Sequence, residues 1–471
     1  MTNTCDFASK YDAIVIGAGL GGLTCANRLA SLGRKVLVLE QHREIGGLAA
    51  WFKRRGHIFD TALHGFPVGM AKTFRKYWSR EISDAVVRLE RIRFDNPQFS
   101  FTTRFDRQDF GRILREIFDV PAPTVERFFM HCRDMNFYDE QNRSTRELFA
   151  EFFPNRAEVV RFLLEWVTYA NGSTLDEPAI TYGIVFSNFM TDGVFTLRGG
   201  TDWLMNKMAE TLRSHGCHIA TDARAERIIC DKGRAAGVKV NGRYIPARAV
   251  VSNANLKATI LAMLGRENLP GDFVEKAEAV RLSTSCSQVF LGLKAGETIP
   301  PETGDIIFAS QSPALDLDDN LRPDSRSMCF SIYYPALRPG HGRYAVVASL
   351  GARYDDWADL PSEEYREAKK RLIAHVLGHL ERYIPDIHAK IEWAEAATPL
   401  TFKRYTGHWQ GATFGTKFEG LKISERLPEV VPGVFHTGSC AIIMSGWLGA
   451  ANYGAIVAQR VDEYLSRDGR A

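Results

Sequence analysis

The stretch IVIGAGLGGL at residues 14–23 limits the possible folds of this chain more than any other. Gly17, Gly19 and Gly22 follow the short β-branched run YDAIVI and precede Leu23, Ala26, Ala30 and Leu32, which recur at roughly helical spacing. Gly33 is placed to stop that helix. KVLVLE at residues 35–40 then reads as a buried parallel strand. Strand, helix and strand in this order give the glycines separate tasks. Gly17 permits the sharp turn, Gly19 lets the backbone approach a pyrophosphate, and Gly22 lets the helix pack on the strand. The first helix amides face phosphate charge. Glu40 ends the second strand about twenty residues on, where a carboxylate accepts hydrogen bonds from ribose hydroxyls and disfavours a 2′-phosphate. The pattern predicts a dinucleotide-binding α/β unit.

A chain of 471 residues is too long for one small core. Residues 1–70 hold the glycine turn, and residues 71–195 are aromatic and rich in helix formers. Within the second stretch, FGRILREIF and AEVVRFLLEWVTYA read as amphipathic helices. The nucleotide-like pattern resumes over residues 196–260. TDWLMNKMAETLRSHG is a helix capped by Thr201 or Asp202, and CHIATDARAERIIC, AAGVKVNG and YIPARAVVSNA read as successive strands. Residues 261–425 are mixed and include a strong helix from Pro361 to Tyr383, and residues 426–471 return to strand, glycine-rich turn and helix. A discontinuous nucleotide domain in three pieces, with insertions forming another domain, is the expected organisation.

Net charge is +3, with no long basic run interleaved with aromatics, so no nucleic-acid partner is expected. The eight cysteines form no Cys-x-x-Cys pair, which fits a reducing cytoplasm better than a disulfide framework. The first strand begins near Tyr11, leaving no room for a signal peptide before it. The uncharged stretch between Glu429 and Arg460 is broken by Pro432 and several glycines, and reads as strand, turn and helix. Such a chain can still rest on a membrane surface as a peripheral contact.

Two further motifs carry a family resemblance. Gly46-Gly47 follows Glu40 after a short loop and is succeeded by GHIFDTALHG at residues 56–65, with the pair Phe59-Asp60. Near the C-terminus lies PGVFHTGSCAIIMSGWLGAANYG. Together with TPLTFKRYTGHWQGATFG and VVSNANLKAT, these resemble the FAD-dependent phytoene desaturase, carotenoid isomerase and retinol saturase family within the amine-oxidase-like flavoproteins. The resemblance implies a Rossmann-like FAD-binding domain of the glutathione-reductase type, discontinuous, with an inserted α+β substrate domain. The implied cofactor is FAD. Its implied contacts are Gly17, Ala18, Gly19, Gly21, Gly22, Glu40, Gln41, His42, Gly46, Gly47, Leu48, Ala62, Leu63, His64, Gly65, Ala225, Gly438, Ser439, Trp447 and Leu448. The chain departs from many relatives in having His42 in place of an arginine, Leu48 after the glycine pair, Ala225 in place of a valine, and Ser439 after Gly438.

The implied reaction is desaturation, saturation or isomerisation at carbon–carbon bonds of an apolar, carotenoid- or isoprenoid-like substrate, with hydride passing at flavin N5. The electron acceptor stays open among oxygen, a quinone and a nicotinamide. His64 is the candidate proton-transfer group, and a backbone-bonded histidine is its plain alternative. Asp60 reads as structural, and Tyr405, His408 and Trp409 are candidate walls of the substrate channel. Phe149, Phe152, Phe153, Phe162, Trp166 and Tyr169 suit either an apolar tunnel or, for most of them, a helical core. Arg156, Arg161, Lys53, Arg54 and Arg55 could meet lipid head groups or simply be solvated. His375 and His379 have the i, i+4 spacing of metal ligands, but lack a third ligand and read as helix-flank residues, so no metal is expected. Two alternatives remain. One is an amine or other small-molecule oxidase on the same fold, with Lys403 as its lysine. The other is a flavin-free prenyl-protein binder of the GDP-dissociation-inhibitor type.

Overall fold

The computed structural model describes residues 7–136, 143–171 and 175–468, and Cys5 and the Tyr169 side chain lie outside that description. Strand β1 (Tyr11–Ile16) is flanked by β2 (Val36–Leu39) and by the Arg243–Ser252 strand, both parallel to it. Ile14 sits opposite Leu37 on one side and Val250 on the other. Val250 in turn pairs with Val434 of the Val434–His436 strand, and His218–Ala220 pairs with β2 at the other edge. The parallel core therefore takes strands from three distant parts of the chain. All four residues of β2 are buried, as the apolar run requires for a strand covered on both faces.

Helix α1 (Leu20–Ser31) covers one face of this sheet and packs against the long Gly446–Asp468 helix. The two backbones meet so closely that a Cβ at Gly454 would lie 2.1 Å from the Gly21 carbonyl oxygen. CHIATDARAERIIC is split in the structure. His218–Ala220 joins one edge of the sheet, while Ala225–Asp231 starts an antiparallel meander at the other edge. The break lies at Asp222, whose φ of +53° turns the chain. The expected cap at Thr201 or Asp202 also differs. The Gly200–Ser214 helix starts after Gly199, which has a left-handed φ of +97°, and neither side chain caps it. Instead, the distant Asp60 carboxylate accepts the Thr201 backbone N–H at 2.7 Å.

A second seven-stranded sheet runs in the order Ile391–Ala397, Ser285–Leu293, Ala345–Ala352, Ser327–Tyr333, Ile306–Ser310, Ile92–Asn96 and Phe99–Thr103. It is antiparallel except where Ile306–Ser310 runs parallel to Ile92–Asn96. The Ser362–Leu380 helix buries Leu372, Val376 and Leu380 against one face. The helices Ala157–Asn171 and Ala179–Met190 flank the Ile306–Ser310 side. Phe149, Phe152, Phe153 and Phe162 are core residues of this helical cluster. Arg161 is 1% exposed and paired with Glu165 at 3.1 Å, so it meets no surface.

Candidate functional site

One cavity of about 1500 Å³ connects the β1–α1 turn to the face of the second sheet. This exceeds the ~300–1,000 Å³ of ordinary ligand clefts and leaves room for a dinucleotide and a second molecule. At its nucleotide end, Gly17, Gly19 and Gly21 line the wall with Glu40, Gln41, His42, Gly46, Gly47 and Leu48. Gly19 is the N-cap of α1 and no side chain caps the helix, so its first amides remain available for an anion. The Glu40 carboxylate is 6% exposed. One oxygen accepts the Ala18 N–H at 2.9 Å and the other accepts the His42 N–H at 3.0 Å. These contacts aim the carboxylate while leaving lone pairs free. The two glycine motifs touch: the Gly46 N–H donates to the Ala18 carbonyl at 2.7 Å, and a Cβ at Gly47 would lie 3.2 Å from Gly19 Cα.

The turn has a partner that spacing alone did not disclose. Asn253 follows the Arg243–Ser252 strand, lines the cavity, and donates from Nδ2 to the Gly17 carbonyl at 3.3 Å. A Cβ at Gly19 would come within 2.9 Å of Asn253 Nδ2, and one at Gly21 within 2.8 Å of its Oδ1. The glycines thus make room for a protein side chain as well as for a ligand. Asn253 lies within VVSNANLKAT, so its position at a parallel strand's C-terminal end was the available signal.

The segment around His64 meets the C-terminal motif at the far end. Ala62, His64 and Gly65 line the cavity, as do Ser439, Trp447 and Leu448, and Ala225 lines it beside Arg224. Trp447 Nε1–H donates to the Ala62 carbonyl at 3.1 Å, and its ring stacks on Phe66 with centroids 5.4 Å apart. Ala441, between Ser439 and the final helix, has φ +56° and ψ 151°, a conformation that glycine favours. Ala18, Gly22, Leu63 and Gly438 stand behind the wall and do not line it. The Leu63 carbonyl accepts from the Tyr333 hydroxyl, and a Cβ at Gly438 would lie 2.3 Å from the Ala254 carbonyl oxygen.

His64 is held on both sides. Its Nδ1 lies 3.0 Å from Ser331 Oγ and its Nε2 lies 2.9 Å from Gln288 Nε2. Burial lowers its pKa to about 4, against a smaller opposing effect of the Asp60 charge. Both ring nitrogens are thus engaged, and burial favours the neutral imidazole at neutral pH. Asp60 is structural: both its oxygens accept from Arg338 at 2.7 Å, in addition to the Thr201 contacts.

The channel residues separate. His408 is buried, lines the cavity and directs Nδ1 at the Ala412 carbonyl at 2.6 Å. Tyr405 lines the cavity at its nucleotide rim. Its carbonyl accepts from His42 Nε2 at 2.5 Å, and the two rings are 5.5 Å apart. Trp409 is off the cavity, 40% exposed, with its ring 5.8 Å from the Lys257 ammonium. The chain turns between Tyr405 and the pair His408 and Trp409 at Gly407, φ +67°. Trp166 does line the cavity, together with Phe105, Ile184, Val185, Phe189, Val194, Ile306 and Phe308. Gln288, Ser349, Cys286 and Cys329 were not anticipated, because buried polar and thiol side chains in an apolar strand read as packing. Burial holds both thiols un-ionised, with pKa values raised to about 12. Arg54, 46% exposed, pairs with Glu395 across the outer wall at 3.3 Å. Lys403 turns outward to the Tyr354 hydroxyl at 2.6 Å. His375 contacts the Ser325 carbonyl at 2.8 Å, and no group of three or more His, Cys, Asp or Glu converges on a metal position among the described residues.

A family profile described as "Flavin containing amine oxidoreductase" matches residues 20–439. The chain belongs to that family. Its cofactor is FAD, and the uncapped helix start, glycine cradle and aimed Glu40 carboxylate fit such a group. The chain is 25% identical to a chloroplastic prolycopene isomerase of Arabidopsis thaliana, over 96% of this chain and 83% of that protein. It is 22% identical to an all-trans-retinol 13,14-reductase of Danio rerio, over 93% and 84%. A crystal structure of an oxidoreductase from Methanosarcina mazei superposes with a TM-score of 0.69 at 18% identity, covering 96% of this chain and all of the other. That last likeness supports the mixed α/β fold.

Proposed function

We propose that this flavoprotein acts on carbon–carbon bonds of an apolar polyene or isoprenoid, by desaturation, saturation or isomerisation. The observation that carries the reading is the apolar arm of the cavity, walled by Phe105, Trp166, Val185, Phe189, Ile306 and Phe308 and continuous with the dinucleotide cradle. The names of the isomerase and reductase relatives support the same substrate class. The absence of Lys403 from the cavity weighs against an amine oxidase arrangement built on that lysine.

The proposed cofactor domain is of the glutathione-reductase type, assembled from residues 1–70, 196–260 and 426–471, with residues 71–195 and 261–425 as the substrate domain. FAD, when bound, supplies a hydride acceptor or donor. The chain contributes placement and environment. Glu40 and the amides after Gly19 hold the ribose and pyrophosphate. Trp447 fixes the Ala62–Gly65 wall through the Ala62 carbonyl. The aromatic arm excludes water and aligns an extended chain along the sheet. Neutral His64 and the un-ionised thiols keep charge away from the apolar molecule.

Val185→Trp tests the arm, because the added ring fills space lined by Val185, Phe189 and Phe308. The expected result is full flavin content with polyene conversion reduced at least tenfold. Unchanged conversion by a folded, flavin-loaded variant would refute this reading.

A further inference from the structure

The Ser327–Tyr333 strand lies inside the second sheet, between Ala345–Ala352 and Ile306–Ser310. Side chains alternate along a strand, so Cys329, Ser331 and Tyr333 share one face. Cys329 lines the cavity and stands opposite Phe308 of the apolar arm. Ser331 Oγ lies 3.0 Å from His64 Nδ1. The Tyr333 hydroxyl donates to the Leu63 carbonyl. Just past the strand, Arg338 reaches both Asp60 oxygens at 2.7 Å and also pairs with Asp202. One strand and the turn after it therefore carry part of the substrate arm and grip the Asp60–His64 segment at three points.

The grip is rigid at each point. Burial, reinforced by the Asp60 charge, holds the Tyr333 pKa well above the usual phenol value, so its hydroxyl is a donor at neutral pH. The Arg338 guanidinium lies against Gly200, where a Cβ would come within 2.0 Å of Nη2. Beside it the Leu337 carbonyl accepts the Gly199 N–H at 2.7 Å. The same segment is tied to the final helix through the Ala62 carbonyl and Trp447 Nε1–H. It is held from the cofactor side by that helix and from the substrate side by this strand.

We propose that Tyr333 and Ser331 are positioning residues that act through the Leu63 carbonyl and His64, fixing the spacing between the Ala62–Gly65 wall of the flavin site and the arm that holds the reacting carbon–carbon bond. The inference rests on the polyene reading above and adds residues to that site. Neither side chain has to touch a reactant. Hydride transfer depends steeply on approach, and a misplacement of about 1 Å costs ~100-fold in rate. Binding depends instead on the glycine cradle and the aromatic arm, which these two contacts leave alone. Loosening the grip therefore slows transfer without weakening binding.

Tyr333→Phe keeps the ring and removes its hydroxyl, and Ser331→Ala removes the other hydroxyl. For each FAD-loaded variant, kcat and KM are measured with a polyene from the panel that the wild type converts. The visible circular dichroism of the bound flavin is recorded alongside, because it reads the surroundings of the ring independently of turnover. The expected result is kcat lowered roughly tenfold or more, KM unchanged and an altered dichroism. Either variant suffices if the other fails to fold. A raised KM with unchanged kcat marks lost binding and overturns the proposal, as does an unaltered dichroism. If the wild type converts no polyene, the polyene reading falls and the proposal falls with it. Equal conversion by wild type and folded variants removes only the role of the two hydroxyls.

Discussion

At Gly22, an added Cβ would sit 2.2 Å from the Gly17 carbonyl oxygen and 3.0 Å from Asn253 Cβ. Both neighbours are fixed: the first is backbone, and Asn253 is held by its bond to the same carbonyl. Gly22→Ala is therefore expected to lower stability by about 1–3 kcal/mol, the usual cost of overpacking, and to release flavin. Denaturant unfolding and flavin extraction measure the two effects. A variant that keeps wild-type stability and flavin content would show that the turn tolerates a side chain. His64 illustrates the limit of reading one residue from its motif. Its place after Phe59-Asp60 suggests proton transfer, but the partners on either side, Ser331 and Gln288, come from strands more than two hundred positions away.

Among the elements, the final helix has two tasks. It packs on α1 through the glycine crossing of Gly21 and Gly454, and its first turn fixes the His64 segment through Trp447. Trp447→Phe keeps the stacking on Phe66 and removes one buried donor, leaving the Ala62 carbonyl unpaired. The expected cost is about 1–3 kcal/mol, read as weaker flavin retention on dilution or dialysis. Unaltered retention would mean that the indole N–H contributes nothing to the cofactor wall. These motifs were legible because their chemistry is local: a glycine turn before a helix, an acid ending a strand, a glycine-rich helix start. Structure gathers Gly17, Glu40, Gly46 and Trp447 on one cavity. Tyr405 and Trp409 were not legible as separate sites, because the left-handed Gly407, φ +67°, ends the Pro399–Thr406 helix between them and redirects the chain. The cap of the Gly200–Ser214 helix was hidden for a similar reason: Asp60, far away in sequence, satisfies it in place of Thr201 or Asp202.

For the whole molecule, acid is the expected weakness. Burial lowers the pKa values of His64 and His436 to about 4, while an unfolded histidine titrates near about 6.5. Between these values the unfolded chain binds protons that the folded chain refuses. Stability is thus full above about pH 6.5 and falls as pH drops toward 4. Thermal melts between pH 7 and 4.5 should show a falling Tm, and a flat Tm over that range would contradict the buried neutral histidines. At this scale no helix among the described residues is long and apolar enough to cross a membrane. The proposed function requires the cavity to bring an apolar molecule to the flavin. It is tested most directly by mixing oxidised and, separately, reduced protein anaerobically with a panel of polyenes and amines, following the flavin spectrum and identifying products. A flavin spectral change and a polyene altered at its carbon–carbon bonds are expected, with amines inert. Bleaching by amines alone, with every polyene recovered unchanged, would contradict it.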